Sequence, residues 1–222
     1  MKTYALCTPS FEPLLEIFEK TAPADLDLNV LRIDAPPEKG FQSDVWYECL
    51  KEKAQIFRDL IADHQGEIIA LLDIDIQFFA PCESTFLAGL ADNDIAFQAE
   101  TAGDKPEKTD LNSGVAIVRC NERTLALYSQ VCRLDLPSLN LGDQSALIDI
   151  INRKIIPGLR HSILPYTVWA WSHTLFNVGP TRDMVLHHAN CTTNPETTVA
   201  DKLRQMDVVR LTYAWLQHGI VR

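Results

Sequence analysis

No stretch of this 222-residue sequence is long enough and apolar enough to cross a bilayer. The longest apolar runs, such as Ile68 to Leu72, stop far short of the ~20 residues a spanning helix needs. The opening segment MKTYALCTPSFEP reaches Pro9 and Glu12 before a signal-peptide core can form. A C-x-x-C pair is missing too. The six cysteines (Cys7, Cys49, Cys82, Cys120, Cys132 and Cys191) are scattered, which argues against zinc and reads as buried free thiols in a reducing cytoplasm. Basic charge is also short: 20 Lys plus Arg stand against 30 Asp plus Glu, a net charge of -10. Binding to nucleic acid or to an anionic membrane surface depends on cationic side chains, so neither partner is expected.

The rest is ordinary for a globular chain, with 46% hydrophobic and 23% charged residues. Area scaling for this size buries roughly 70% of the unfolded surface, a core that needs no staple. Repeats, low-complexity tracts and linkers are absent, so a single domain over residues 1–222 is expected.

Short continuous apolar runs alternate with longer periodic ones, which predicts an α/β fold. Strands are expected at Thr3–Cys7, Leu28–Ile33, Ile68–Leu72, Ile95–Gln98, Val115–Val118 and Val185–His188. Ser10 is placed to cap a helix carrying Leu14, Leu15 and Phe18. A long helix should follow from Asp44 to His64, with Gly66 ending it. Further helices are expected from Asn121 to Arg133, from Gly142-Asp143 to Arg153, and from Thr198, where Asp201 would act as a capping-box acid. The polar segment Thr101 to Asp110 reads as a loop.

The most informative segment is Ile68-Ile69-Ala70-Leu71-Leu72-Asp73-Ile74-Asp75. A run without polar alternation is a strand covered on both faces. If that strand continues, Asp73 and Asp75 point the same way, at the sheet edge where parallel folds bind ligands. Two carboxylates this close raise one another's pKa unless a cation lies between them, and a divalent ion resolves the repulsion. Val185-Leu186-His187-His188 offers an imidazole to complete the set. Adjacent strand residues face opposite ways, so one of His187 and His188 is expected to join, and imidazole beside carboxylates favours manganese, with magnesium as the alternative.

These segments together resemble the nucleotide-sugar-dependent glycosyltransferases of the GT-A type, closest to family 8 and the related nucleotide-diphospho-sugar transferase domains. Asp73-Ile74-Asp75 resembles that group's metal-binding D-x-D. Asn112-Ser113-Gly114 is similar to its N-[SA]-G segment, Asp143-Gln144 to its D-Q motif, and Leu186-His187-His188 to its late metal-binding histidine. Thr8-Pro9-Ser10 falls where the first strand of the group meets the nucleotide base, and Lys53 where a basic residue faces the diphosphate. The glycine and K-P-W that often follow the histidine are replaced by Ala189-Asn190-Cys191-Thr192. Lys202 is then the candidate for the diphosphate, against a plain reading as part of a solvated helix face.

The resemblance implies a single GT-A (Rossmann-like) domain with a central mixed, mostly parallel sheet flanked by helices. It implies transfer from a UDP-sugar to a hydroxyl acceptor (glycan, lipid or protein), with retention. Asp73, Asp75 and His187 or His188 would hold Mn2+ or Mg2+, and Asn112, Asp143 and Gln144 would meet the donor sugar. Trp169 and Trp171 read more simply as packing than as an acceptor platform. A nucleotidyltransferase would want a Gly-rich, basic loop where Thr8-Pro9-Ser10 stands, and a D-x-D phosphatase a Thr or Val where Gln77 stands. A fold that binds a nucleotide sugar without turning it over is the non-enzymatic alternative.

Overall fold

Ile69 and Leu71 face one apolar layer and Ala70 and Leu72 the other, so the unbroken run is indeed a strand covered on both sides. The structure is a computed structural model that describes residues 1–35, 43–101, 110–192, 194 and 196–219. In chain order, β1 (Lys2–Cys7), α1 (Glu12–Thr21), β2 (Asp27–Arg32), α2 (Asp44–Asp63) and β3 (Ile68–Asp73) open the fold. Next come β4 (Ile76–Phe78), α3 (Glu83–Leu90), β5 (Ile95–Ala99), β6 (Leu111–Arg119) and α4 (Glu122–Arg133). The chain ends with α5 (Leu136–Leu139), α6 (Asp143–Asn152), β7 (His161–Ile163), β8 (Val168–Ala170), β9 (Leu186–His188) and α7 (Thr198–His218).

The main sheet has the order β2-β1-β3-β6-β5-β7. Only β6 runs against its neighbours; the remaining pairs are parallel. Residues of α2, α4 and α6 (Phe57, Leu127 and Leu147 among them) cover one face. Leu15 and Phe18 of α1 and Phe86 and Leu90 of α3 cover the other. A small sheet, β4-β9-β8, stands beside it. Among the described residues no helix is long and apolar enough to cross a membrane, and no disulfide joins the cysteines.

Side-chain caps mark some of the helix starts. Ser43 caps α2 by accepting from the Trp46 N–H at 3.2 Å. Asn121 and Thr124 close a reciprocal capping box on α4. Ser10 does not cap α1: Pro9–Phe11 forms a 3-10 turn and the helix begins at Glu12. Pro13 suits that first turn, where its missing N–H costs nothing. The expected box at Thr198 is not formed either, because the Thr197 hydroxyl donates to Asp201 at 2.7 Å. The strand expected at Val115–Val118 is longer, so Asn112-Ser113-Gly114 lies within β6.

Asp94, fully buried before β5, ties three segments together. It accepts from Arg123 Nε at 2.9 Å, Asn121 Nδ2 at 2.9 Å and the Arg160 N–H at 2.9 Å. Burial opposes its ionisation, but Arg123 and the other donors outweigh it and hold the carboxyl below its ordinary range. A carboxylate depressed in the folded state stabilises fully above its unfolded pKa of about 4 and loses that contribution as pH falls through the folded value. Asp94→Asn is therefore expected to lose about 2 kcal/mol at pH 7 and to show a shallower fall of Tm between pH 5 and pH 2. Parallel Tm curves for parent and variant over that range would rule this contribution out.

Candidate active site

Asp73 ends β3, Ile74 turns into the apolar layer beneath, and Asp75 precedes β4 in the second sheet. The two carboxylates converge because the chain steps from one sheet to the other between them, not because a single strand continues. In the small sheet Ile76 lies opposite His188, and the Ala189 N–H donates to the Asp75 carbonyl at 2.9 Å. That register places His188 Nε2 3.3 Å from Asp75 Oδ1 and 3.9 Å from Asp73 Oδ2. One ligand atom from each of Asp73, Asp75 and His188 falls within 4.8 Å of the others.

His187 does not join them. The strand period turns it to the opposite face, where its ring lies 5.3 Å from that of Trp169. Burial pushes its pKa down to about 3.

Two features fit the cluster to a divalent cation. The Gln98 side-chain amide donates to the Val168 carbonyl at 3.3 Å, leaving its oxygen to accept from His188 Nδ1 at 2.7 Å. Held in this way, His188 turns Nε2 towards the carboxylates, which is the arrangement a metal-ligating histidine needs. Gly114, on β6, clears the space. A Cβ there would lie 2.2 Å from His188 Cε1 and 2.9 Å from Asp73 Oδ2.

Two lysines serve the acids. Lys53, on α2, reaches Asp73 Oδ1 at 2.7 Å and Asp143 Oδ2 at 3.0 Å. Burial works against its charge, but Asp143 and Asp73 outweigh it and hold the ammonium protonated. Lys202 is buried under α7 rather than exposed on a solvated face. Its Nζ lies 2.5 Å from Asp75 Oδ2 and donates to the Ala189 carbonyl at 2.7 Å. Asp75 is likewise pulled both ways: burial opposes ionisation, and Lys202 and His188 overcome it to hold the carboxyl well below the usual range. Asp143 is held low by Lys53 in the same manner, and its Oδ1 accepts from the Gln144 N–H at 2.9 Å.

At the start of β6 the remaining predicted residues form a network. Ser113 donates its N–H to Gln144 Oε1 and its hydroxyl to Asp143 Oδ2, both at 3.3 Å. Asn112 accepts from the Gly114 N–H at 2.8 Å and donates to Glu100. Gln144 also donates to Glu100, at 3.4 Å. Glu100 was not foreseen, and neither was Gln98; no pattern marks a lone acid or amide near the end of a strand. Thr8, Pro9 and Ser10 follow β1 at the same sheet edge, since Leu6 pairs with Asp73, but they make no contact with the acidic cluster among the hydrogen bonds described. Most of the expected loop, residues 102–109, lies outside the described residues. Trp169 is a core residue. Trp171 lines a cavity of about 430 Å³ with Cys191, Thr192 and Gln205.

The sequence model of the nucleotide-diphospho-sugar transferases matches residues 20–206 of this chain. The chain belongs to that family. It is a glycosyltransferase on that ground, and the match takes in Lys53, both acidic motifs, Asn112-Ser113-Gly114, His188 and Lys202, while Thr8-Pro9-Ser10 lies before it. Solved structures bear out the GT-A fold of this transferase. A glycosyltransferase that acts in glycosylation of the PBCV-1 major capsid aligns at TM-score 0.61 and 16% identity, over 92% of this chain and 98% of its own. GlyE of Streptococcus pneumoniae TIGR4 aligns at TM-score 0.55 and 14% identity, over 96% of this chain and 63% of its own. An active-site mutant of LgtC aligns at TM-score 0.54 and 12% identity, over 92% and 96%. No curated protein matches the sequence.

Proposed function

We propose that this transferase moves a glycosyl unit from a UDP-sugar to a hydroxyl acceptor, with retention at the anomeric carbon and with Mn2+, or Mg2+ in its place, held by Asp73, Asp75 and His188. The observation that carries the reading is the buried histidine whose free ring nitrogen faces two carboxylates across a gap that only glycine leaves open. A divalent cation there supplies Lewis-acid stabilisation of the departing nucleoside diphosphate.

The chain's own residues do the rest. Lys53 adds a fixed positive charge beside Asp73 and keeps Asp143 ionised, so a carboxylate is available to positive charge developing on the sugar ring. Asn112, Gln144 and Glu100 form one hydrogen-bonded group whose amides orient the donor sugar. Thr8, Pro9 and Ser10 border the nucleotide base. Retention removes the need for a dedicated general base, which agrees with Asp73, Asp75 and Asp143 each being paired with a lysine.

The test is a thermal-shift series with nucleoside diphosphates, with and without Mn2+, followed by UDP release from a panel of sugar nucleotides. UDP at a hundred times its dissociation constant should stabilise by about 2.7 kcal/mol, and only with the cation present. Equal stabilisation by UDP without metal, or turnover of no UDP-sugar over a broad panel of hydroxyl acceptors, would overturn the reading.

A further inference from the structure

We infer that Lys202 is a resident counter-ion of the cation site, which a divalent ion must displace from Asp75 and which then pairs with the donor diphosphate. The inference rests on the metal-dependent reading above. Its basis is the competition for one carboxylate. Asp75 has two oxygens: Oδ1 faces His188 Nε2, and Oδ2 is taken by the Lys202 ammonium at 2.5 Å. Asp75 is only 6% exposed and Lys202 8%, so water does little to screen the pair. A cation entering between Asp73, Asp75 and His188 would place two positive charges on one buried carboxylate. The ammonium is the mobile one.

Lysine suits an exchange of this kind. Its charge is compact and its four-carbon stem turns without moving the helix. The Ala189 carbonyl, 2.7 Å from Nζ, gives the freed ammonium a second anchor at the site. Gln205, one turn further along α7, fastens the helix to the Asn190 carbonyl at 3.1 Å, so the change is confined to the side chain. Lys53 has no such role: it bridges Asp73 and Asp143 and leaves Asp75 and His188 to the cation. The net effect is two linked equilibria. Lys202 weakens binding of the metal alone, then strengthens binding of a diphosphate once the metal is in place, so the two ligands favour each other.

The expected signature is a pair of effects of opposite sign. By titration calorimetry, Lys202→Met should bind Mn2+ alone about tenfold more tightly than the parent and bind UDP at saturating Mn2+ about tenfold more weakly. Lys202→Arg, which keeps the charge, should stay near the parent for Mn2+ alone. The parent itself gives an independent readout: acylation of Lys202 by a lysine-directed reagent, followed by mass spectrometry, should speed up when Mn2+ is added without nucleotide. Parental Mn2+ affinity in Lys202→Met, or no change in Lys202 labelling while calorimetry shows Mn2+ bound, overturns the exchange and leaves the metal-dependent function intact. A parent that binds no Mn2+ with or without UDP overturns the function itself.

Discussion

Asp75→Ala is expected to lower metal-dependent UDP release about a thousandfold, which corresponds to ~4 kcal/mol of the barrier, and to destabilise the fold at the same time. The second effect follows from what is left behind. Lys202 keeps its ammonium next to the Ala189 carbonyl but loses the only carboxylate within reach among the described ion pairs. Removing one partner of a buried pair costs about 3–5 kcal/mol because the other charge stays uncompensated. The double variant Asp75→Ala/Lys202→Met removes both charges and should recover most of that stability, while UDP release stays at the level of the single variant. Denaturant unfolding measures the first quantity and UDP release the second. A single variant as stable as the parent would show that the pair is not desolvated. A double variant that regains activity would remove Asp75 from the chemistry.

Gly114→Ala should be nearly as damaging to function for one added methyl group. The new Cβ meets the His188 ring at 2.2 Å, and neither side can move away cheaply. β6 is the strand between β3 and β5, paired on both sides. His188 is held through Gln98, which is itself bound to β8. The imidazole must therefore leave its position, and Mn2+-dependent binding of UDP should weaken at least a hundredfold. Overpacking at such a point costs the fold about 1–3 kcal/mol, so the variant should remain folded by circular dichroism. Parental Mn2+ and UDP affinities in Gly114→Ala would show that the ring and the carboxylates do not act together.

How much of this was legible beforehand depends on whether a residue's partner is near in sequence. Asp73 and Asp75 were legible because a continuous apolar run ends at them, although the reason they converge is the step between sheets. The choice between His187 and His188 was open in the sequence and is made by the register of β9 against β4. Lys202 stood between two readings, a diphosphate ligand and part of a solvated face, and α7 does not separate them locally: Val208, Leu211 and Trp215 are exposed apolar residues on the same helix that buries Lys202 and Gln205. Gln98 and Glu100 act through partners on other strands and helices, and nothing local announces them. Short elements such as β4 and β7, three residues each, carry too few side chains to show a period.

The reversed direction of β6 has one more consequence, for how the length of the sequence can change. Neighbouring strands are about 4.8 Å apart, so two residues are enough to turn from β5 into β6. The hairpin is already shut at its base by the Glu100 N–H on the Asp110 carbonyl and the Thr101 N–H on the Asp110 carboxylate, both at 3.1 Å. Strand pairing therefore does not fix the length of the sequence between Thr101 and Asp110. That length can change without altering a single residue of the sheet.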